Sequence, residues 1–194
     1  IQASKEEVPV VEFKNVALTY SGAGDESLTD IDFTVRKGET VGIIGGTGSG
    51  KSSLVNMIPR FYDATKGEVL IDGINVKNYP REVLMKKVGI VLQKAVLFKG
   101  TIESNIRWGK KDATSEDIAK AVEIAQAADV VNAKGGTDAV IAQGGKNLSG
   151  GQRQRMTIAR ALVKKPDILI LDDSASALDM ATDARLRKSI KELD

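Results

Sequence analysis

The run Gly45-Gly46-Thr47-Gly48-Ser49-Gly50-Lys51-Ser52 follows the spacing G-x-x-x-x-G-K-[ST]. Those residue types suit the grip of a chain of phosphates. Glycines let backbone N–H groups converge on an anion with no Cβ in the way. Lys51 supplies a point charge for β- and γ-phosphates, and Ser52 a hydroxyl ligand for Mg²⁺. A turn rich in glycine can end in Lys-Ser for ordinary reasons, but a strand before it and a helix after it give the motif a mechanism. Both are expected here. Thr40-Val41-Gly42-Ile43-Ile44 reads as a buried strand. Ser53-Leu54-Val55-Asn56-Met57-Ile58 reads as a helix, whose N-terminus adds unpaired donors and a positive dipole end.

Two further clusters carry chemistry. Asp172 and Asp173 close the apolar run Ile168-Leu169-Ile170-Leu171. Carboxylates at the carboxyl end of a parallel strand sit where α/β sheets bind ligands. Asp172 is placed to hold Mg²⁺ beside Ser52, and Asp173 to orient or deprotonate an attacking water. Leu148-Ser149-Gly150-Gly151-Gln152 opens a helix, with Ser149 and Gln152 spaced as a capping box. Two glycines just inside a helix start are costly unless the backbone must come close to something. Such a start suits a phosphate. The chain thus holds two anion-binding helix starts but one phosphate loop. A dimer in which each chain offers its second site to its partner's nucleotide would use both.

The elements that must position these groups are legible. Residues 8–20 alternate as a strand, with Phe13 and Tyr20, and residues 21–26 form a turn cluster. Residues 31–35 alternate again, 66–73 is a short strand between turns, and 88–92 is a buried strand. Thr114 with Asp117 caps a helix whose face is Ile118, Ala121, Val122 and Ala125, and Lys134-Gly135-Gly136 breaks the pattern. The helix from Ser149 stops before Pro166, and 181–193 is helical. Trp108 is expected as a core or lobe anchor. Short alternating strands first, then buried strands around a helical insert, predict an α/β domain.

Composition sets the bounds. The 194 residues allow one sizeable core, or one core with a small subdomain. A formal charge of +2 gives no basic field for nucleic acid. Absent cysteine removes disulfides and thiolate sites, and absent histidine removes imidazole chemistry. No apolar run nears the ~18 residues that span a bilayer. The polar start 1–7 reads as a tail or linker end. Without an initiator Met, the chain reads as a piece of something longer.

The order of residues 45–52, then Gln93, then 148–152, then Leu169-Ile170-Leu171-Asp172-Asp173, then Ser176-Ala177-Leu178-Asp179 resembles the nucleotide-binding domain of ABC transporters. The resemblance covers nearly the whole chain, and residues 148–152 match the family signature letter for letter. Phe98-Lys99-Gly100-Thr101-Ile102-Glu103-Ser104-Asn105-Ile106 looks like the exporter branch. The resemblance implies a P-loop NTPase core with an antiparallel β subdomain and a helical subdomain, truncated at the C-terminus. Residues 8–92 and 158–194 would form the core and about 93–157 the helical part. ATP or ADP would be held by Tyr20, stacked on adenine, and by Gly45, Gly46, Thr47, Gly48, Ser49, Gly50, Lys51, Ser52 and Ser53. Ser149, Gly150, Gly151 and Gln152 would cap a neighbour's nucleotide. Mg²⁺ would take Ser52, Gln93 and Asp172, and Asp173, Gln93 and Lys51 would serve catalysis. Asp179 would communicate across the dimer. Partners would be a second nucleotide-binding domain and transmembrane domains, at the cytoplasmic face of a membrane.

Three departures from the family matter. Asp173 stands where active members carry Glu, retracting the carboxylate by roughly 1.3 Å, while a base must lie within about 2.6–3.2 Å of its water. This resembles the weak half of a heterodimeric exporter. Gln143 stands where many exporters place an acid. No histidine follows Asp179, so poor hydrolysis is expected of this piece alone. Two other functions compete with the motor reading. ABC-type ATPases of DNA repair carry a long coiled-coil or zinc-bearing insertion, which the short stretch from Gln93 to Leu148 lacks. A nucleotide-gated module with no catalytic role is kept open by Asp173.

Overall fold

The computed structural model describes residues 8–20, 22, 26–173 and 176–193. The expected tail at 1–7 and most of the turn cluster at 21–26 lie outside the described residues. The chain divides into two compact units at Met85–Lys86.

The first unit is built on an antiparallel sheet of order β2-β1-β3-β4, from β1 (Val11–Leu18), β2 (Leu28–Val35), β3 (Lys66–Ile71) and β4 (Ile74–Asn75). Phe13 pairs with Phe33 across β1 and β2, and their rings stack at 4.5 Å. The alternation of β1 changes phase midway: Val11 and Phe13 are buried before Asn15, Val16 and Leu18 after it. Asn15 is the cause. It adopts φ 47°, its N–H donates to Asp32 Oδ1 at 2.8 Å, and the register to both neighbouring strands shifts there. This is a bulge, and an extra residue in a period-two pattern moves later side chains to the opposite face. Gly67 fits against it, because a Cβ there would lie 2.2 Å from the Lys14 carbonyl. Between β2 and β3 run the glycine loop and α1 (Lys51–Asn56); α2 (Arg81–Lys87) follows β4.

The expected strand at 40–44 is corrected. Among the described residues no strand pairs with it. Its apolar side chains are exposed, Ile44 almost wholly, at 98%. Apolar composition states what would be buried if a ladder formed; it does not supply the ladder, and backbone groups without one stay in solvent.

The second unit pairs β5 (Val88–Val91) with β8 (Ile168–Leu171) in parallel, Val91 opposite Leu171. Between them run β6 (Gly100–Thr101), α3 (Ile102–Arg107), α4 (Ser115–Ile124), α5 (Ala128–Lys134), β7 (Val140–Ile141) and α6 (Gly150–Leu162). The short strands β6 and β7 pair antiparallel, and α7 (Met180–Lys191) follows β8. The expected capping box on α4 forms between Thr114 and Asp117, and Ile118, Ala121, Val122 and Ala125 are buried. Gly135 ends α5 in the left-handed region. One apolar cluster gathers α3, α4, α5 and α6 around Ile106, Ile118, Val130, Met156 and Ile158. Trp108 is not in it. It is 66% exposed and leans on Phe98, ring centroids 4.8 Å apart. The apolar face of α3 is already filled by Ile102 and Ile106, so the ring lies on the outside.

Candidate nucleotide site

In the first unit the glycine loop leads into α1 without a side-chain cap. Gly50 stands at the N-cap with φ 88°, and the first helical bond runs from the Leu54 N–H to the Gly50 carbonyl at 2.9 Å. Gly48 is also left-handed, φ 79°. A side chain at Gly50 would meet Leu28 Cδ2 at 2.7 Å, and one at Gly45 would meet Ser49 Oγ at 2.5 Å. Glycine is thus required at Gly50 for both space and conformation. Lys51 curls over the loop: Nζ donates to the Gly45 carbonyl at 2.7 Å and the Gly46 carbonyl at 2.8 Å. The ammonium is held by two neutral acceptors that a phosphate would outbid, since bonds between charged groups are about twice as strong. With six residues, α1 adds little dipole, so the loop's own donors and Lys51 carry the anion chemistry.

Tyr20 and Ser53 meet directly: the phenol and the Ser53 hydroxyl share a hydrogen bond of 2.5 Å. The Tyr20 ring also meets Tyr62 edge to face, centroids 5.2 Å apart. The aromatic expected at a base therefore stands beside the helix that opens with Lys51 and Ser52.

In the second unit the structure brings Gln93 and Asp173 together. Gln93 Nε2 donates to Asp173 Oδ2 at 3.0 Å, across 80 positions of sequence. Two strand ends produce the meeting. Gln93 lies two residues beyond β5, Asp173 two beyond β8, and the Asp172 N–H, one residue past β8, still donates to the Val91 carbonyl at the end of β5 at 2.9 Å. Asp173 adopts φ 48°, a region that Asp tolerates better than most residues. Its carbonyl then accepts from the Ser176 hydroxyl at 3.0 Å.

The signature turn is closed on itself. Ser149 N–H donates to Gln152 Oε1 at 2.9 Å and Gln152 N–H to Ser149 Oγ at 3.2 Å, while Ser149 and Gly150 are exposed. Gly151 answers what the two glycines approach: a Cβ there would lie 2.9 Å from the Ala177 carbonyl, whereas one at Gly150 has nothing nearer than 3.9 Å. Asp179 caps α7, accepting from the Thr182 N–H at 2.9 Å and the Thr182 hydroxyl at 2.8 Å. Those two donors, the backbone N–H first, hold its carboxyl below the usual carboxylate range.

Sequence reading missed the side chains that support these turns. Arg153 donates to the Leu148 carbonyl at 2.6 Å. Asn105, 1% exposed, donates to the carbonyls of Phe98 at 2.9 Å and Thr101 at 3.0 Å, and accepts from the Phe98 N–H at 2.9 Å. The signal was there: Asn105 interrupts the apolar face made by Ile102 and Ile106, where an ordinary solvent-facing Asn does not belong.

These residues fit a nucleoside triphosphate with Mg²⁺. A loop that has no room for a Cβ at Gly45 and Gly50, with an ammonium folded over it, suits phosphates. Among the described residues no three His, Cys, Asp or Glu side chains gather as a metal centre. Within the second unit an amide and a strand-end carboxylate are of the kind Mg²⁺ takes beside water and phosphate oxygens.

The comparisons with known proteins agree with this chemistry. The family profile described as "ABC transporter" matches residues 28–176. The chain is 45% identical over 181 residues to "Uncharacterized ABC transporter ATP-binding protein YfiB" of Bacillus subtilis (strain 168), across 93% of this chain and 32% of that protein. It is 43% identical over 183 residues to "ATP-dependent lipid A-core flippase" of Pasteurella multocida (strain Pm70), across 93% of this chain and 31% of that protein. Among solved structures, that of a bacterial Atm1-family ABC exporter with ATP bound matches with a TM-score of 0.88 and 37% identity, over 94% of this chain and 32% of the other. The chain therefore spans about a third of the length of the relatives it matches. Phosphate loop, strand-end carboxylates and signature turn, on this fold and with these relatives, lead to one conclusion: the chain belongs to the ABC transporter family, as an ATP-binding domain of exporter type.

Proposed function

We propose that this domain is the ATP-driven motor of a membrane exporter, working as a head-to-tail pair with a second nucleotide-binding domain. The contact of Gln93 with Asp173 at 3.0 Å carries the reading. An amide that would sense Mg²⁺ and the γ-phosphate already touches the carboxylate that would handle the water. ATP supplies a phosphoanhydride whose binding closes the pair and whose cleavage lets it part. The chain's own groups do the holding. Lys51 exchanges two carbonyls for phosphate oxygens, Ser52 and Asp172 with Gln93 hold Mg²⁺, and Tyr20 stacks on the base. Gly45, Gly46, Thr47, Gly48, Ser49, Gly50 and Ser53 line the phosphates. Ser149, Gly150, Gly151 and Gln152 face the neighbour's nucleotide, and Asp179 sits at the shared boundary.

In domain terms, residues 8–92 and 158–194 form the ATP-binding core and about 93–157 the helical subdomain. Among the described residues no helix is long and apolar enough to cross a membrane. Membrane attachment would come through transmembrane partners, placing this domain at the cytoplasmic face. The relatives, about three times longer and bearing exporter and flippase names, support that arrangement.

A second reading is favoured by Asp173: this chain is the slow or hydrolysis-deficient half of a heterodimer. Its signature would complete the competent site on the partner. The test is ATP turnover by the full-length pair with Asp173→Glu. On the degenerate-half reading, hydrolysis at this chain's own site, followed with the partner's site disabled, rises by at least about tenfold, a typical contribution of a well-placed base being larger still. An unchanged rate removes the support for a weak site, and loss of nucleotide binding in wild type removes the motor reading altogether.

A further inference from the structure

Residues 92–98 lie between β5 and β6 with no regular structure, and side chains of α3 and α6 bond part of their backbone. At the far end Asn105 holds Phe98 at both its N–H and its carbonyl. Arg160 on α6 donates to the Val96 carbonyl at 2.9 Å and to Asn105 through its carbonyl at 2.9 Å and Oδ1 at 3.0 Å. Its guanidinium also lies over the Phe98 ring, 5.4 Å from the centroid. At the near end Gln154, on the same helix and 1% exposed, donates through Nε2 to the Leu92 carbonyl at 3.4 Å. Gln154 shares its face of α6 with Ile158 and Leu162, both buried. An apolar side chain would fill that slot without a donor to satisfy; the buried amide of Gln154 finds its acceptor in the Leu92 carbonyl.

We infer that Gln154 is a positioning residue for Gln93. By holding the Leu92 carbonyl it fixes the next residue, whose amide meets Asp173. Because Gln154 stands five residues into the helix that Ser149 caps, α6 joins the signature turn to the Gln93 segment through one rigid element. This inference rests on the proposed sensor role of Gln93.

The test measures ATP affinity of the full-length protein with Mg²⁺ and with EDTA, alongside single-turnover hydrolysis. Wild type, Gln154→Met, Gln93→Ala and the double variant are compared. Met keeps the volume and removes the donor; Gln154→Leu repeats the test if the Met variant does not fold. Gln154→Met is expected to lose about 3–10-fold of the affinity gained with Mg²⁺, the scale of one hydrogen bond, with metal-free affinity within about twofold. In the Gln93→Ala background it adds nothing, as an effect exerted through Gln93 must. Losses that multiply in the double variant, or a folded Gln154→Met equal to wild type, overturn the inference. Gln93→Ala equal to wild type overturns the sensor role itself, which is a separate failure.

Discussion

Two glycine turns in this domain use the same ingredients and are wired in opposite ways. The loop ahead of Lys51 ends on a left-handed glycine with no side-chain cap, before a helix of six residues. Its cation rests on two carbonyls of its own loop. The turn at Ser149 carries a complete reciprocal cap, opens a helix of thirteen residues, and packs Gly151 against Ala177. The first turn keeps its strongest donor on weak acceptors, so a ligand finishes it. The second is finished before any ligand arrives, which suits a surface that must be presented ready-made to another molecule. A helix N-terminus with glycines is therefore not one kind of site; what caps it decides whether it waits for an anion or displays a fixed face.

That contrast breaks most sharply at Lys51. Lys51→Ala should weaken Mg-ATP binding by at least about tenfold, the loss of a charge-assisted hydrogen bond. The thermal midpoint of the ligand-free domain should stay put, because the lost partners are exposed loop carbonyls. Calorimetric titration and a melting curve read the two halves; a large drop in the midpoint would mean the lysine is structural. Next comes Gly50→Ala, which forces both φ 88° and a 2.7 Å approach to Leu28 Cδ2. A cost of about 2 kcal/mol is expected, from left-handed backbone and overpacking, measurable by urea unfolding.

The signature glycines should part company. Gly150→Ala has open space, so the folded state should gain about 0.5–1 kcal/mol of helix propensity. Gly151→Ala drives a Cβ to 2.9 Å from the Ala177 carbonyl and should be destabilising by about 1 kcal/mol or more. Equal effects of the two would show that the approach to Ala177 is unimportant. Ser149→Ala removes the cap and should cost about 1 kcal/mol.

The smallest effect is on acid stability. Asp117 is held well below the usual carboxylate range, chiefly by Lys165, then by Lys110 and the Thr114 N–H; Asp179 is held below it by Thr182. A carboxyl depressed in the fold binds protons more readily once unfolded. Its stabilisation is therefore complete above the unfolded pKa, about 4, and fades as pH falls toward the folded one. Melting points of Asp117→Asn and Asp179→Asn should fall less steeply than wild type between pH 6 and pH 2. Curves parallel to wild type would show that neither pairing stabilises the fold.

Local signals in the sequence determined much of this protein. The box at Thr114 and Asp117, the cap at Ser149 and Gln152, the stop before Pro166 and the apolar run at Ile168–Leu171 all act within a few residues, where spacing is geometry. Tertiary structure decided the rest. Residues 40–44 are as apolar as a strand requires, yet stand without a ladder, because pairing depends on what lies alongside and not on composition. The bulge at Asn15 shifted the alternation of β1. The meeting of Gln93 with Asp173, and of Gly151 with the Ala177 carbonyl, joins residues far apart in sequence. Contacts of that kind leave no periodic trace: each partner alone is an ordinary polar or small residue, and only the folded backbone brings the pair within bonding distance.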